Sequence, residues 1–175
     1  MTFVLFAGYL TTALTHRLDH GGSWWQDGAA EVRTESERTQ LVFTFYPGDR
    51  MTFGTTIRNP RPWPVTITGV ADDGDHIFRV SSVTMNRPGD AGYVNFDSTT
   101  AVAFQPVNLG PGEEPPVFVT VTMPDVQFGE GSGLVFDDVA VSFNALGLPR
   151  HQQVPLGYRV WVRAPNGYVP RRVGD

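Results

Sequence analysis

The sequence predicts an all-β protein built as a two-sheet sandwich, and three observations point there. From residue 30 onward the apolar residues recur with a period of two, which indicates half-buried strands. Clusters of Gly, Pro, Asn and Asp separate these runs at intervals of about 8–14 residues. No long amphipathic helix pattern follows residue 30, and 175 residues are the size of one domain.

Six segments have the clearest strand pattern, because β-branched and aromatic residues alternate along them. In chain order they are 41–46, 51–58, 65–68, 117–123, 138–143 and 158–163. Weaker candidates cover 77–85, 92–96 and 101–109, and residues 29–38 fit either a short helix or a polar strand. The clusters at 47–49, 59–64, 72–75, 87–90, 110–114, 129–133 and 147–150 predict the turns.

The composition excludes several classes of chemistry. All 13 basic residues are arginine, and cysteine is absent. These counts exclude disulfides, thiolate metal sites, and lysine or cysteine nucleophiles. The net charge of −5, with dispersed arginines, argues against a nucleic-acid partner, because duplex binding depends on a basic surface.

The N-terminal residues bear on the cellular location. Residues 2–15 carry no charge, and Trp24 and Trp25 follow a Gly-Gly-Ser break. As a helix this stretch rises about 21 Å, less than the roughly 30 Å hydrocarbon layer. Three interpretations stay open: the apolar part of a signal peptide, the end of a membrane span with both tryptophans at the headgroups, or a buried element of the domain. The two membrane-related interpretations together are favoured.

On this basis the chain divides into two parts. Residues 1–29 are assigned to an apolar N-terminal segment with a linker, and residues 30–175 to the sandwich. The expected location is the cell membrane, with the sandwich facing the outside of the cell. A secreted or a cytoplasmic protein is the alternative.

Two segments resemble motifs of bacterial immunoglobulin-like domains. Residues 57–67 resemble the hairpin pattern I-x-N-x-x-x-x-P-V-x-I, and residues 109–123 resemble an L-x-P-G-E turn with its following strand. Residues 136–156 are similar to the C-terminal hairpin of uncharacterised membrane-anchored envelope proteins of GC-rich Gram-positive bacteria. The resemblance covers about residues 40–165 and implies an immunoglobulin-like sandwich outside the membrane. It implies no catalytic residue, since such domains share no active site.

The sequence contains no hydrolase signature. Ser132 lies between two glycines, but Glu130 and Leu134 occupy the outer positions of the nucleophile-elbow motif. His16 and His20 are four residues apart without the Glu between them that a zinc protease uses. The sequence therefore predicts a protein that is not an enzyme and has no cofactor. A hydrolase on a β-scaffold, with a metal or a carboxylate pair, is a further alternative.

The densest acidic cluster consists of Asp72, Asp73 and Asp75 around a glycine. Carboxylate oxygens of this kind are ligands that Ca²⁺ prefers. The cluster lacks the glutamate and glycine positions of an EF-hand loop, and an Asp-Gly pair suits a hairpin turn. A turn is the favoured interpretation, with Ca²⁺ binding as a weak alternative.

The first candidate binding surface is the connection 59–64. Arg58, Arg61 and Trp63 lie along it, and prolines on both sides of Trp63 stiffen the backbone. Such a loop displays an aromatic side chain at little entropic cost. Burial of Trp63 as a core residue at a strand start is the slightly favoured alternative.

The second candidate surface is one face of the last strand. Arg159, Trp161 and Arg163 recur there with a period of two. Guanidinium groups stacked on an indole recognise anionic or carbohydrate surfaces through cation–π contacts. Mutual packing of these side chains on an outer sheet face is the favoured alternative.

Taken together, these residues predict a non-catalytic interaction or structural module of the bacterial cell envelope. The expected partners are a protein or another envelope component, and the membrane through the N-terminal segment. A carbohydrate-binding module is the alternative if Trp63, Trp161 and either Tyr158 or Tyr168 form one exposed platform.

Overall fold

Two packed β-sheets make up nearly all of the regular structure. The computed structural model describes residues 9, 11–27, 30–35, 38–44, 46–71, 79–86, 101–123 and 132–165. Within these ranges the helical residues are Tyr9 and 11–15, and the strands belong to one five-stranded and one six-stranded sheet. The prediction of an all-β, immunoglobulin-like two-sheet sandwich is confirmed.

The strands are numbered in chain order over the described residues. They are β1 (Asp19–Gln26), β2 (Glu31–Glu35), β3 (Arg38–Thr44), β4 (Arg50–Arg58), β5 (Val65–Val70), β6 (Arg79–Met85), β7 (Val102–Ala103), β8 (Val107–Leu109), β9 (Pro116–Thr122), β10 (Gly133–Ala145) and β11 (Leu148–Arg163). The five-stranded sheet has the order β1-β4-β9-β6-β7, and the six-stranded sheet has the order β2-β3-β11-β10-β5-β8. Paired strands are antiparallel except β3 and β11, which are parallel.

The core lies between the two sheets. It consists of the side chains that point inward from alternate positions along the strands. On β4, Met51, Phe53 and Ile57 are buried, because successive strand residues point to opposite faces. Tyr158 on β11 is also buried, and its hydroxyl donates to the Gly54 carbonyl oxygen of the other sheet at 2.9 Å. Burial raises the pKa of the Tyr158 phenol well above its ordinary value.

Most predicted strands are present, but the predicted strands 138–143 and 158–163 are parts of the much longer β10 (Gly133–Ala145) and β11 (Leu148–Arg163). The polar-strand alternative for 29–38 is correct, since Glu31–Glu35 forms β2. The candidate at 101–109 is divided between β7 and β8, and the candidate at 92–96 lies outside the described residues. The predicted turn at 147–150 is shorter than expected, because positive φ at Leu146 and Gly147 reverses the chain within two residues.

Strand β1 lies where the sequence predicts a linker. Asp19–Gln26 pairs with β4, and the register shifts between His20 and Trp24. A Cβ atom at Gly21 would overlap the side chain of Thr56, so a glycine is needed for this close approach. The sandwich therefore begins N-terminal to residue 30, and the bulge hides the strand from a period-two search.

The residues before β1 pack on the sandwich. Ala13, His16 and Leu18 are buried, and the Tyr9 hydroxyl donates to the Leu146 carbonyl oxygen. The Gln152 amide holds Leu18 by both backbone groups, at 2.9 Å to its nitrogen and 2.8 Å to its oxygen. Leu14 in the same stretch is 53% exposed, and residues 1–8 lie outside the described part, so the three interpretations of residues 2–15 stay predictions.

Among the described residues, no helix has the length and apolar character needed to span a membrane.

Candidate functional site

The loop 59–64 connects β4 to β5, and the buried Asn59 side chain fixes its backbone. Asn59 is 0% exposed. Its Nδ2 donates to the carbonyl oxygens of Trp63 and Leu109, at 2.8 and 3.1 Å. Its Oδ1 accepts a hydrogen bond from the Arg61 backbone N–H at 3.1 Å, which makes an Asx turn within the predicted connection 59–64.

The turn between β8 and β9 supports the same asparagine from the other side. The Asn59 N–H donates to the Glu113 carbonyl oxygen at 3.1 Å, and the Gly112 N–H donates to the Asn59 carbonyl oxygen at 2.7 Å. Gly112 has φ +75°, a conformation that favours glycine. The two motifs that resemble immunoglobulin-like domains therefore meet at one end of the sandwich.

Trp63 is displayed at this end. Half of its residue surface (50%) is exposed, and Arg58 and Arg61 are exposed as well. The burial alternative for Trp63 is wrong, because Asn59 fills the interior position and binds only the backbone of the tryptophan. The structure therefore presents an exposed indole on a loop whose backbone is held by hydrogen bonds.

His16 packs against Asn59 inside the sandwich. Its Nε2 lies 3.1 Å from the Asn59 Oδ1, and this nitrogen donates, since the Asn59 amide nitrogen already donates to backbone carbonyls. The His16 Nδ1 is buried without a hydrogen-bond partner among the described residues. Burial lowers the pKa of His16, Arg61 and Arg150 lower it further, and the bond to Asn59 opposes them.

A cleft of 570 Å³ opens beside the loop 59–64. We call it the Arg17–Arg61 cleft. Its lining includes Arg17, Asp19, Pro60, Arg61, Gln152 and Pro155. Sequence reasoning missed it, because residues 17–19 and 152–155 are far apart along the chain and are brought together by the fold, with the Gln152 side chain bound to the Leu18 backbone.

A second groove, of 430 Å³, lies along β11 where its pairing with β10 shifts register. Positive φ at Gly157 (+77°) bends the strand at this position. The groove is lined by Arg38, Asp137, Asp138 and Arg159, and it shares Gln153 and Pro155 with the Arg17–Arg61 cleft.

The predicted surface on β11 is covered by its own neighbours. Trp161 is half-buried, and its Nε1 occupies the space where a Cβ atom of Gly133 would lie. The Arg163 guanidinium lies 6.0 Å from the centre of the Trp161 ring and 3.8 Å from the Glu31 carboxylate. Arg159 is also half-buried. These contacts favour the mutual-packing alternative for this strand face, with the Arg163 side chain 32% exposed.

Trp24 and Trp25, the predicted membrane-interface residues, both lie on β1 and have aromatic partners. The Trp24 ring is 5.9 Å from the Tyr158 ring, although 39% of its residue surface is exposed. The Trp25 ring contacts the Phe118 ring edge to face, with 5.2 Å between the ring centres. Gly54 lies between them in the sheet and is in register with Trp25 on one side and with Phe118 on the other. The membrane role of these two tryptophans stays a prediction.

The described aromatic residues do not form the exposed platform of a carbohydrate-binding module. Tyr158 is buried and Trp161 half-buried, and Tyr168 lies outside the described residues. The calcium candidates Asp72, Asp73 and Asp75 also lie outside them. Across the described ranges, no group of three or more His, Cys, Asp or Glu residues has the arrangement to hold a metal ion.

Sequence reasoning also missed a pair of potentially reactive side chains. Ser142 and His151 are cross-strand neighbours on β10 and β11, with 3.2 Å between Oγ and Nδ1. The two-residue turn at Leu146–Gly147 sets this register. A sequence prediction with this shorter turn would have paired Ser142 with His151. A serine nucleophile requires a base that a third group orients, and an exposed two-residue hydrogen bond does not provide that arrangement.

Comparison with known proteins gives only distant similarities. No protein-family model matches the chain, and no curated protein matches it. A Corynebacterium diphtheriae protein assigned as membrane anchored is 11% identical, over 90% of this chain and 38% of that chain, with a TM-score of 0.42. PapD-like domain 7 of human CEP192 is 10% identical over 80% of this chain and 87% of that one, with a TM-score of 0.35.

The VesB protease of Vibrio cholerae is 15% identical over 78% of this chain, with a TM-score of 0.37. The match covers 32% of the protease, so this chain spans about a third of that protein. No activity follows from similarity at this level. The described residues themselves define the class: an immunoglobulin-like β-sandwich with a rigid aromatic loop at one end.

Proposed function

We propose that this chain is a non-catalytic binding module of the bacterial cell envelope and that the loop 59–64 is its contact surface. The observation that carries the proposal is the half-exposed Trp63 on a backbone held by Asn59. Exposed tryptophan and arginine supply much of the binding energy at protein interfaces. A loop that is already ordered in the free protein loses little entropy when it binds.

The non-catalytic part of the proposal has separate support. The sequence has no lysine or cysteine, and the Ser142–His151 pair is exposed on an outer strand face. The envelope location is supported by the resemblance of residues 136–156 to the C-terminal hairpin of membrane-anchored envelope proteins. In this proposal the sandwich faces outward from the cell membrane, the apolar N-terminal residues provide attachment, and the partner is a protein or another envelope component.

Co-sedimentation of the purified chain with isolated envelopes of a GC-rich Gram-positive bacterium tests the proposal. We expect Trp63→Ala to weaken binding by about tenfold or more. Tyr46→Ala is the matched control, because Tyr46 is an aromatic residue with the same 50% exposure at a different place, and it should bind like the unchanged chain. Equal binding by both variants would overturn the assignment to loop 59–64, and no binding by the unchanged chain would overturn the function.

An activity screen tests the non-catalytic part. Ester, phosphate and glycoside substrates should show no turnover above background. Reproducible turnover that is lost in Ser142→Ala or His151→Ala would show that the exposed pair is a catalytic site and would contradict the proposal.

A further inference from the structure

The Arg17–Arg61 cleft has an excess of positive charge on its walls. Of the described residues that line it, Arg17 and Arg61 are basic and Asp19 is the one acidic residue. The Asp19 carboxylate accepts a hydrogen bond at 3.0 Å from the N–H of His20, so part of its capacity is already used. This local balance contrasts with the net charge of −5 of the whole chain.

Neither arginine is neutralised by a carboxylate in the described part of the chain. The ion pairs found there join Glu31 to Arg33, at 2.8 Å, and to Arg163, at 3.8 Å. A guanidinium group has five N–H donors in a planar fork, which suits the oxygen atoms of phosphate and carboxylate groups. Two such groups on the wall of one cleft are complementary to an anion.

The backbone at both arginines is held in place. The Arg61 N–H is bound by Asn59. Arg17 lies between His16, which bonds to Asn59, and Leu18, which the Gln152 amide binds at both backbone groups. Only the two side chains remain to be ordered on binding, and this limits the entropic cost.

We infer that the Arg17–Arg61 cleft binds an anionic oxygen group, phosphate or carboxylate, carried by a polymer of the cell envelope. The volume of 570 Å³ lies within the usual range for ligand sites, so one or a few polymer units fit. The inference rests on the proposed function and deepens it, because Arg61 belongs to both the cleft and the loop 59–64.

Calorimetric titration of the full chain at constant ionic strength tests this site, with short polyphosphate and oligogalacturonate as separate probes. We expect at least one of them to bind and neutral maltohexaose not to bind. The probe that binds more tightly identifies phosphate or carboxylate as the preferred group. Absence of binding by both anionic probes would overturn the inference, and so would equal binding of the neutral probe.

Three substitutions localise the binding. Arg17→Gln and Arg61→Gln should each lower the association constant about tenfold or more, since each removes charge-assisted hydrogen bonds. Asp19→Asn should raise it, because it removes a carboxylate that opposes the two arginines on the cleft wall. All three side chains are exposed, so the unfolding midpoint should stay nearly unchanged.

Arg33→Gln is the matched control, since Arg33 is an arginine already bound to Glu31. It should leave the association constant unchanged. An equal loss of binding in Arg33→Gln and Arg61→Gln would show a nonspecific charge effect and would overturn the site.

The failure of this inference is distinguishable from failure of the proposed function. If Trp63→Ala weakens sedimentation with envelopes while neither anionic probe binds, the loop 59–64 remains the contact surface. The inferred anion site in the Arg17–Arg61 cleft is then wrong. If the probes bind through Arg17 and Arg61 while the unchanged chain does not sediment with envelopes, the anion site stands and the envelope as its source is wrong.

Discussion

Two surfaces of the molecule combine arginine with tryptophan, the loop 59–64 and the outer face of β11. On the loop, Asn59 binds the backbone of Trp63 and leaves half of its surface exposed. On β11, Trp161 lies over Gly133, and Arg163 approaches its ring while also facing Glu31. Similar residues thus leave the Trp63 indole exposed on the loop, whereas the Trp161 indole on β11 is half-buried by its neighbours.

The difference follows from the local backbone. In a sheet, cross-strand neighbours lie about 4.5–5.5 Å apart at Cβ, so a large side chain packs on the residues beside it. A loop has no such neighbours, and its rigidity must come from bonds to the backbone. Asn59 supplies those bonds from below, and the surface above the loop stays free.

The largest expected loss of stability comes from replacing Asn59, which lies under the loop 59–64. Asn59→Ala should destabilise the protein by about 3–5 kcal/mol, because it leaves several buried backbone groups without a partner. Chemical denaturation monitored by circular dichroism measures this loss. Asn108→Ala is the control, since the exposed Thr66–Asn108 hydrogen bond should be worth about 1 kcal/mol or less. Similar losses in both variants would contradict the importance of Asn59.

The next effect is a dependence of stability on pH through His16. Its pKa in the folded protein is below the ordinary 6.5, so the unfolded chain binds the proton more readily. Stability should be highest above pH 6.5 and should fall as the pH drops through 6.5 toward the folded-state pKa.

The contribution of His16 to the pH dependence is measured from the free energy of unfolding at about pH 7.5 and at about pH 5. The measurement is made on the unchanged chain and on His16→Gln. The variant should have a smaller difference between the two pH values. His151→Gln is the control, because that histidine is exposed, and it should keep the full difference. An unaltered difference in His16→Gln would show that His16 is not the responsible group.

The half-buried Trp161 should give an intermediate effect. Trp161→Ala removes an indole that packs on Gly133 and Arg163, and we expect a loss of about 1–2 kcal/mol. Thermal unfolding followed by circular dichroism tests the value. A loss below that of Trp63→Ala would reverse the comparison between the two surfaces.

The smallest expected effect is at Trp63 itself. Trp63→Ala should change the free energy of unfolding by no more than about 0.5 kcal/mol, since the ring is not part of the core. A loss of about 3–5 kcal/mol, typical of a core aromatic residue, would remove the loop as a contact surface. The same thermal experiment therefore decides whether this tryptophan serves stability or is free for binding.

Much of the fold was predictable because burial on one face produces a period of two, as at Phe53 and Ile57 on β4. The strand β1 was not, since Gly21 and Gly22 form part of a bulge that interrupts the alternation. The Asx turn at Asn59 follows from local sequence. Its role as a hydrogen-bond centre does not, because the carbonyl of Leu109 is brought near only by the fold.

The candidate site was predictable only where its residues are close together in the sequence. Arg58, Arg61 and Trp63 are close in sequence, and the prolines beside them indicate an exposed, rigid loop. Arg17 enters the same region through the docking of residues 11–18, for which composition gives no signal. Whether a tryptophan is covered depends on register, as with Trp161 over Gly133, and a strand pattern alone does not give the partner.

The parallel pairing of β3 with β11 also constrains how the protein folds. Gln40 pairs with Arg159 and Thr44 with Arg163, roughly 120 residues away along the chain, and contacts so distant slow folding. The pair β2–β3 joins the six-stranded sheet only through β11. During synthesis, that sheet therefore stays incomplete until β11, the last of the described strands, has left the ribosome.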